Sequence, residues 1–419
     1  MSMEEKRNSL TFQGFNQSIL KPSNEKDISE IVKSCFKKNI PLEIQGLGTK
    51  KKIGRNFQSE KTLDLSKNAG IIEYLPEELY IKVKSGTPID LIKKELKKNN
   101  QELAFEPTDF GPLFCGSKNE GTIGGVVSCN FAGPRRFKVG SARDHILGFR
   151  GINGRGEIIK SGGTVVKNVT GYDLSKIASG SFGTLMVFSE ISIKVLPIAE
   201  SNKTLVIDNN DLKSSLDYLN KSLSSSSDPS GAVFYPKIFR DQFTLNDLTV
   251  LGSITAIRFE GSINSIDQRL NKLIKDLKLE DKKLDILAPD QSEIFWDETR
   301  SLKVFSNLNK NLFRIVVPPS ETFDLLNNLS KYNIKYFVDW GGNLVWLQVD
   351  DINPKELREL RNVVKKFNGY LTIIKVSDDL KGLIDIFTIN EIKYQITEKI
   401  KKSFDPKRIL NPGKMYIGI

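Results

Sequence analysis

The stretch KNVTGYDLSKIASGSFGTLMV, residues 167–187, decides the fold of this chain. Gly180 and Gly183 lie in its run GSFGT, and residues 190–196 then read as a β-strand. Glycine marks tight turns because it adopts backbone conformations that other residues avoid. The pattern therefore predicts a turn that leads into a strand, at the end of a glycine-rich stretch over residues 116–184.

Two earlier glycine segments share this character. In Gly46-Leu-Gly-Thr49-Lys50, backbone N–H groups can turn toward an anion while the last two side chains add a hydroxyl and a charge. GTIGG at 121–125 lets a flat or charged ligand approach the backbone closely. On the residues alone, an ordinary tight turn and a close helix–sheet contact stay open as explanations. Neither spacing is that of a P-loop or of a dinucleotide fingerprint.

Six segments together resemble the FAD-binding domain shared by vanillyl-alcohol oxidase, D-lactate dehydrogenases and the flavin subunits of glycolate oxidase. They occur in that family's order over about 170 residues, and they are IQGLGTK at 44–50, EPT at 106–108, GTIGG at 121–125, G-x-x-RD-x-x-LG at 140–148, KN-x-x-GYDLSK at 167–176 and GS-x-GTL at 180–185.

Further segments are similar to one branch, the FAD-binding subunits of bacterial glycolate oxidase (glycolate dehydrogenase). They are Ala132-Gly-Pro-Arg-Arg136, Asp339-Trp-Gly-Gly342 with Trp346, and the closing residues 404–416. With them the resemblance extends over nearly the whole chain, although between 205 and 385 it depends on these short signatures alone.

The resemblance implies an α+β fold with a vanillyl-alcohol-oxidase (PCMH-type) FAD-binding domain over residues 1–200, made of two α+β subdomains divided near residue 67. Residues 201–387 are expected to form an α+β cap domain, and 388–419 to return to the FAD domain. In the cap region, strands such as 254–259, 312–317 and 343–349 alternate with amphipathic helices such as 264–278 and 354–367. This alternation predicts a sheet with helices on one face.

The resemblance also implies the residues that hold FAD. Carried over by position, the pyrophosphate cradle would consist of Gly46, Leu47, Gly48, Thr49 and Lys50. The wall along the flavin and ribityl groups would consist of Pro107, Thr108, Gly121, Thr122, Gly124, Gly125 and Ser128. The pocket would be completed by Arg143, Asp144, Gly180, Gly183 and Thr184, and adenine would meet the backbone of Val187. A helix or loop cap is an equal alternative for Asp144, and a buried structural hydrogen bond is favoured for Tyr172 and Asp173.

Composition and charge limit which other classes of protein this chain can belong to. The net charge is +11, but the lysines are spread along the chain, so we expect no nucleic-acid partner. No stretch has the apolar length of a membrane span, and the start is polar. These features predict a cytoplasmic protein, either free or peripheral at the membrane through a complex. The three cysteines are scattered, which disfavours a metal or iron–sulfur site within the chain.

His145 is the single histidine, and it does not lie beside the Gly46 loop where a covalent flavin tether would be expected. We therefore expect noncovalent FAD and a structural role for His145. Dehydrogenases of this family that oxidise 2-hydroxy acids resemble one another in a histidine cluster, which this chain lacks. Arg135, Arg136 and Lys167 are candidates for holding a carboxylate, with a solvated or phosphate-facing role as the alternative. No side chain is an evident proton acceptor, so the catalytic residue stays unknown.

The resemblance implies a subunit of a glycolate dehydrogenase that converts glycolate, and D-lactate as a second candidate, without obligatory use of oxygen. A larger flavin subunit would carry the substrate base, and an iron–sulfur subunit would take the electrons. Two alternatives stay open: a self-sufficient FAD-dependent alcohol or 2-hydroxy-acid oxidoreductase, with a tyrosine as base, and a flavin-free assembly subunit.

Overall fold

The computed structural model describes residues 18–163, 173–208, 211–245, 248–306, 310–383 and 385–419. A small parallel sheet comes first, with strand order Ser18–Leu20, Lys61–Asp64, Leu42–Gln45. Helix Glu25–Lys38 begins where the Asn24 side chain accepts a hydrogen bond from the Asp27 backbone N–H. Its buried face packs on this sheet and fixes the strand that leads into the Gly46 loop.

A five-stranded antiparallel sheet follows, with strand order Ile71–Leu75, Tyr80–Lys84, Met186–Lys194, Ile146–Asn153, Ile158–Gly162. Helices Ile89–Lys97 and Ile123–Cys129 share its hydrophobic core. The strand expected at 190–196 begins earlier, at Met186, because buried residues 186–189 already pair with the neighbouring strand. The Gly180–Thr184 turn therefore lies directly before the central strand of this sheet.

Short elements complete the first half of the described chain. Strands Gln101–Glu102 and Leu196–Pro197 pair with each other. The short helices are Gly111–Phe114, Arg136–Val139, Ala142–His145 and Leu174–Ala178. His145 ends helix Ala142–His145, since the Ser141–Asp144 capping box nucleates a turn there.

An eight-stranded antiparallel sheet forms the cap. Its order is Leu284–Leu287, Ser201–Asp208, Ile254–Gly261, Gly231–Tyr235, Ile334–Asp339, Leu344–Val349, Asn311–Val316, Tyr370–Lys375. The outer face packs against four helices, which are Leu212–Leu223, Ile263–Asp276, Thr322–Leu329 and Pro354–Lys366. The strands Gly231–Tyr235 and Leu284–Leu287 were not predicted, since neither run is long enough to show a period.

The inner face of the cap sheet turns toward the FAD-binding half and is rich in aromatic side chains. Tyr235, Phe337 and Trp346 from the sheet share one core with Phe110 and Phe131 from the first half of the chain. Helix Pro289–Arg300 also packs on this inner side. The helices therefore do not all lie on one face, because Phe295 and Trp296 of this helix need the aromatic core. The α+β class is confirmed, whereas the exact domain limits stay predictions.

The C-terminal segment returns to the first half of the chain. Helices Asp378–Leu383 and Glu391–Phe404 precede the irregular residues 405–419. The fully buried Lys401 ammonium donates to the Thr184 carbonyl at 2.6 Å, to the Asp405 carboxylate at 2.8 Å and to the Leu410 carbonyl at 2.9 Å. A buried ammonium requires such partners, so this contact fixes where the segment lies. Within the described ranges, no helix has the length and apolar character to cross a membrane.

Lys401→Met should destabilise the protein strongly, because it leaves the Asp405 carboxylate buried without its cation. Loss of one partner of a buried ion pair costs about 3–5 kcal/mol. Urea unfolding followed by circular dichroism measures the effect. Lys402→Met, at the exposed neighbouring position, is the matched control and should change stability by less than about 0.5 kcal/mol. Equal midpoints for the two variants would show that the Lys401 contact is dispensable.

Candidate flavin site

A cavity opens where the three glycine segments meet. It encloses about 780 Å³ of empty space, including the part open to solvent. Asn411 and Lys414 of the C-terminal segment close one side. The predicted site residues that line it are Gly46, Leu47, Gly48, Thr49, Lys50, Thr122, Gly124, Gly125, Ser128, Gly183 and Val187. The fold thus brings together segments that lie up to 140 residues apart in sequence, counted from Gly46 to about Val187.

The glycines of this cavity are required by close packing and by backbone conformation. A Cβ at Gly46 would lie 2.3 Å from the Thr122 Oγ1, and a Cβ at Gly124 would lie 2.8 Å from the Ser85 carbonyl oxygen. Gly48 has φ +74°, and the nearest atom to its Cβ position is 4.0 Å away. The loop therefore presents bare backbone to the cavity, which suits the close approach of phosphate or of a flat ring.

The Lys50 ammonium donates its hydrogen bonds to neighbouring groups of the protein itself. This buried ammonium donates to the Glu120 carbonyl at 2.9 Å and to the Thr49 hydroxyl at 3.2 Å. Burial lowers the pKa of Lys50, and nearby acidic groups oppose that shift. The ammonium therefore ties the Gly46 loop to the segment before GTIGG, and its role toward phosphate stays a prediction.

Lys414 is a cavity cation that sequence reasoning missed. Its ammonium donates to the Lys51 carbonyl at 2.7 Å and lies 5.5 Å from the centre of the Phe57 ring. Burial lowers the pKa of Lys414 to about 8. The Asn-Pro-Gly-Lys segment at 411–414 that contains Lys414 is visible in the sequence. The position of this segment at the cavity, however, depends on the Lys401 contact.

Cys129 also lines the cavity, next to Ser128 at the end of helix Ile123–Cys129. Burial raises the pKa of the Cys129 thiol to about 11. The group that attacks a flavin ring carbon would be a thiolate, and this thiol stays protonated at neutral pH. The one cysteine near the ligand space is therefore a poor tether.

Seven predicted site residues lie off the cavity lining. Some hold neighbouring segments together: the Thr108 hydroxyl donates to the Ala132 carbonyl at 3.2 Å, and the Thr184 hydroxyl donates to the Ser181 carbonyl at 2.7 Å. Arg143 is exposed and donates to the Lys176 carbonyl. The remaining four are Pro107, Gly121, Asp144 and Gly180. Any ligand role for these seven residues stays a prediction.

Asp144 caps a helix, as the alternative interpretation expected. Its carboxylate accepts from the Ser141 backbone N–H at 2.8 Å and from the Ser141 hydroxyl at 2.9 Å. Asp173 is the N-cap of helix Leu174–Ala178, where its carboxylate accepts a hydrogen bond from the Lys176 backbone N–H. Its contact is structural, but the residue is exposed and not buried as expected. Lys167 and Tyr172 lie outside the described residues.

His145 is buried away from the cavity. Its Nε2 lies 2.9 Å from the Val139 carbonyl oxygen and therefore carries the proton, and its ring packs 5.3 Å from that of Phe105. Burial lowers the pKa of His145, which keeps the ring neutral. The predicted structural role is confirmed.

Arg135 is not available to a substrate carboxylate. Its guanidinium is already paired with the carboxylates of Glu102, Glu106 and Glu260. Glu106 also receives two hydrogen bonds from Arg258, at 2.8 and 3.0 Å. Burial alone would raise the pKa of Glu106, but Arg258 and Arg135 together lower it to about 2. This cluster joins the first half of the chain to the cap sheet, so the suggested substrate role of Arg135 is wrong.

Asp339 is the proton acceptor candidate that the sequence did not reveal. Its buried carboxylate accepts from the Trp340 backbone N–H at 2.7 Å. Burial raises the pKa of Asp339 to about 7, and the Trp340 and Arg258 contacts only partly oppose this shift. The sequence showed no evident proton acceptor, since the burial that shifts this pKa depends on the tertiary structure. Among the described residues, no group of three histidine, cysteine or acidic side chains is placed to hold a metal ion.

Comparison with known proteins identifies the cofactor of this chain. Residues 17–162 match the family model described as "FAD binding domain". This chain is an FAD-dependent oxidoreductase. Its FAD-binding half has the vanillyl-alcohol-oxidase type of fold, and the resemblance seen in the glycine segments is confirmed. The flavin-free alternative is not retained.

Relatives extend over nearly the whole oxidoreductase. It is 29% identical to the glycolate oxidase subunit GlcE of Escherichia coli strain K12, over 92% of this chain and 96% of that one. It is 26% identical to the glycolate oxidase subunit GlcD of Bacillus subtilis strain 168, over 97% and 90%. The D-lactate dehydrogenase of Anaerostipes hadrus is 24% identical over 95% and 89%. Each of these three matches therefore covers at least 89% of both chains.

Solved structures show the same fold at lower identity. An alkyldihydroxyacetonephosphate synthase matches with a TM-score of 0.68 at 14% identity, covering 94% of this chain and 75% of that one. The 4-ethylphenol oxidase of Gulosibacter chungangensis matches with a TM-score of 0.68 at 14% identity, over 96% and 89%. Both likenesses concern the fold alone.

The cavity fits FAD in its chemistry. Bare glycine backbone lies beside the cation of Lys414 and the hydroxyls of Ser85 and Thr122, and the one carboxylate on the lining, Glu43, is paired with Lys51 at 2.8 Å. A dianionic pyrophosphate therefore meets donors and positive charge. When bound, FAD supplies the hydride acceptor, and the protein supplies position and electrostatics.

Noncovalent attachment can be tested by denaturing the purified holoprotein with acid. All flavin should appear in the supernatant as FAD, because the Cys129 thiol is protonated and His145 lies away from the cavity. Cys129→Ala should release the same fraction of flavin. Flavin that stays with the wild-type precipitate and leaves it in Cys129→Ala would identify Cys129 as a covalent tether.

Gly48→Asp should weaken FAD binding at least about tenfold, an energy of about 1.4 kcal/mol, because it adds a negative charge to the loop expected to hold the pyrophosphate. Equilibrium dialysis of FAD measures the loss. Gly48→Asn is the matched control, since it brings the same backbone strain at φ +74° without the charge. If Asp and Asn weaken binding equally, strain rather than charge is responsible, and if neither does, the pyrophosphate lies elsewhere.

Proposed function

We propose that this chain is the FAD-binding subunit of a multi-subunit glycolate dehydrogenase (glycolate oxidase), which oxidises glycolate to glyoxylate and accepts D-lactate as a second candidate substrate. The observation that carries the proposal is the similarity to a glycolate oxidase subunit along almost the full length of both chains. The FAD cavity supports a redox role for the chain within that assembly.

The proposed division of the reaction between subunits follows from the need for a base that accepts the hydroxyl proton of the substrate. Oxidation of a 2-hydroxy acid moves a hydride from carbon to flavin while the hydroxyl proton passes to a base. His145 is neutral and its Nε2 is engaged with the Val139 carbonyl, so it is not placed to be that base. We therefore assign the substrate base to a larger flavin subunit, and the onward transfer of electrons to an iron–sulfur subunit. We also propose that the complex is cytoplasmic or peripheral at the membrane.

A second candidate function rests on Asp339. A carboxylate with a pKa of about 7 is suited to accept a proton at neutral pH. It lies on the inner face of the cap sheet, which faces the FAD-binding half. With Asp339 as base, the chain would be a self-sufficient 2-hydroxy-acid oxidoreductase without a partner flavin subunit.

Anaerobic mixing separates the two functions. The purified chain with FAD should keep its visible flavin absorbance when glycolate or D-lactate is added, whereas the native complex should be reduced. His145→Asn should leave the complex active to within a few-fold, because the histidine is structural. Rapid bleaching of the isolated chain would contradict the proposed division.

Variants of the isolated chain then identify the responsible group. Loss of bleaching in Asp339→Asn, with FAD still bound, would establish the self-sufficient function with Asp339 as base. Loss in His145→Asn alone would make the histidine the base. A native complex that oxidises neither acid would overturn the assignment to glycolate dehydrogenase altogether.

A further inference from the structure

Arg314 differs from the ion-paired arginines between the cap sheet and the FAD-binding half. Arg135, Arg258 and Arg300 each form ion pairs with carboxylates. Over the described ranges Arg314 has no such partner, and its guanidinium lies between two aromatic rings, 5.7 Å from the centre of Phe131 and 5.0 Å from that of Trp340. Its Nε is buried and makes no hydrogen bond. The charge is thus held in place but not neutralised.

The register of the strands fixes where this charge lies. Arg314 is in strand Asn311–Val316, opposite Trp346 on one neighbouring strand and Thr372 on the other. Its sequence neighbours Phe313 and Ile315 belong to the outer core. Because side chains alternate along a strand, Arg314 faces inward, toward the FAD-binding half.

Burial destabilises the charged form of the Arg314 guanidinium. Burial and the positive charge of Arg136 lower the pKa of Arg314 to about 10, and the charge of Asp339 opposes this shift only in part. The side chain is half-buried, so part of its surface stays accessible. Among the described residues Asp339 forms no ion pair with Arg314, and burial raises its own pKa. A cation desolvated in this way gains most from a small anion that reaches its accessible part.

Aromatic side chains connect Arg314 to the wall of the FAD cavity. Phe131, which covers one side of the guanidinium, packs edge-on against Phe182 at 5.9 Å, and Phe182 lines the cavity. Trp340 covers the other side and is fixed by a hydrogen bond from its indole N–H to the Gly133 carbonyl at 2.9 Å. An anion at Arg314 therefore lies two aromatic side chains, Phe131 and Phe182, away from the flavin space.

We propose that Arg314 binds the carboxylate of a small monocarboxylic acid on the cap side of the flavin site. The proposal rests on the proposed function for the identity of that acid as a 2-hydroxy acid, but not for the anion site itself. A guanidinium offers a carboxylate two parallel hydrogen bonds. The aromatic walls and the neighbouring Asp339 disfavour a second negative charge, so a monocarboxylate is preferred over a dicarboxylate.

Direct binding tests the site without requiring turnover. The purified full chain with FAD is titrated with glycolate, D-lactate and acetate, and binding is followed by calorimetry and by tryptophan fluorescence, since Trp340 and Trp346 flank Arg314. Glycolamide, the neutral analogue of glycolate, should bind at least about tenfold more weakly. Arg314→Met should weaken binding of the acid by about 10- to 100-fold, the range for a lost charge-assisted hydrogen bond.

Controls separate a ligand site from a structural one. Arg358→Met, at an exposed position on the helix that covers the opposite face of the same sheet, should leave binding unchanged. The thermal midpoint of ligand-free Arg314→Met should equal or exceed that of the wild type, because an uncompensated cation is removed. A clearly lower midpoint would make Arg314 a structural residue and overturn the proposal.

Three further outcomes decide the remaining possibilities. Unchanged acid binding in Arg314→Met, or equal binding of glycolamide and glycolate, would overturn the site. Loss of FAD from Arg314→Met with no effect on acid binding would show that the arginine serves the cofactor instead. Arginine-dependent binding of D-lactate or acetate, but not of glycolate, would uphold the site and contradict the glycolate assignment alone.

Discussion

The contact on which the flavin site depends is the buried ammonium of Lys401. Its three acceptors belong to the Thr184 turn, to Asp405 and to Leu410, so one charge fixes the C-terminal segment against the FAD-binding half. Asn411 continues the joint, since its side chain accepts from the Ile44 backbone N–H and donates to the Phe182 carbonyl. The last residues of the chain thereby close the cavity that the first glycine loop opens, and they bring Lys414 to its wall.

A second joint, formed by Glu106, Arg135 and Arg258, holds the cap sheet against the FAD-binding half. Glu106 adopts φ +42°, an uncommon backbone conformation for this residue, and its carboxylate meets both Arg135 and Arg258. Ion pairs of this kind contribute little net stability when they are buried, but loss of one member is costly. Their value here is geometric, because they align the inner face of the cap sheet with the segment that follows helix Ile123–Cys129.

Charge is distributed unevenly over this interface. At the joint Arg135 and Arg258 are neutralised by carboxylates, whereas Asp339 and Arg314 lie a short way along the same sheet face without forming an ion pair with each other. Groups whose pKa values are shifted by burial and left unpaired mark places where a ligand supplies the missing charge or proton. The groups that we propose for acid–base and anion chemistry therefore lie on the cap, apart from the glycine loops expected to hold the cofactor.

The sequence by itself determined the cofactor, the fold class and the glycine loops, because these depend on local requirements. Gly46 and Gly124 leave no space for a Cβ, and Gly48 has positive φ, so the residue type is dictated wherever such a loop occurs. The roles of charged side chains were decided only by the tertiary structure. Arg135 and Arg314 are equivalent in a sequence, and only the strands and loops packed around each one supply carboxylates to the first and aromatic rings to the second. Desolvation by distant segments sets the pKa of Asp339, which no local pattern records.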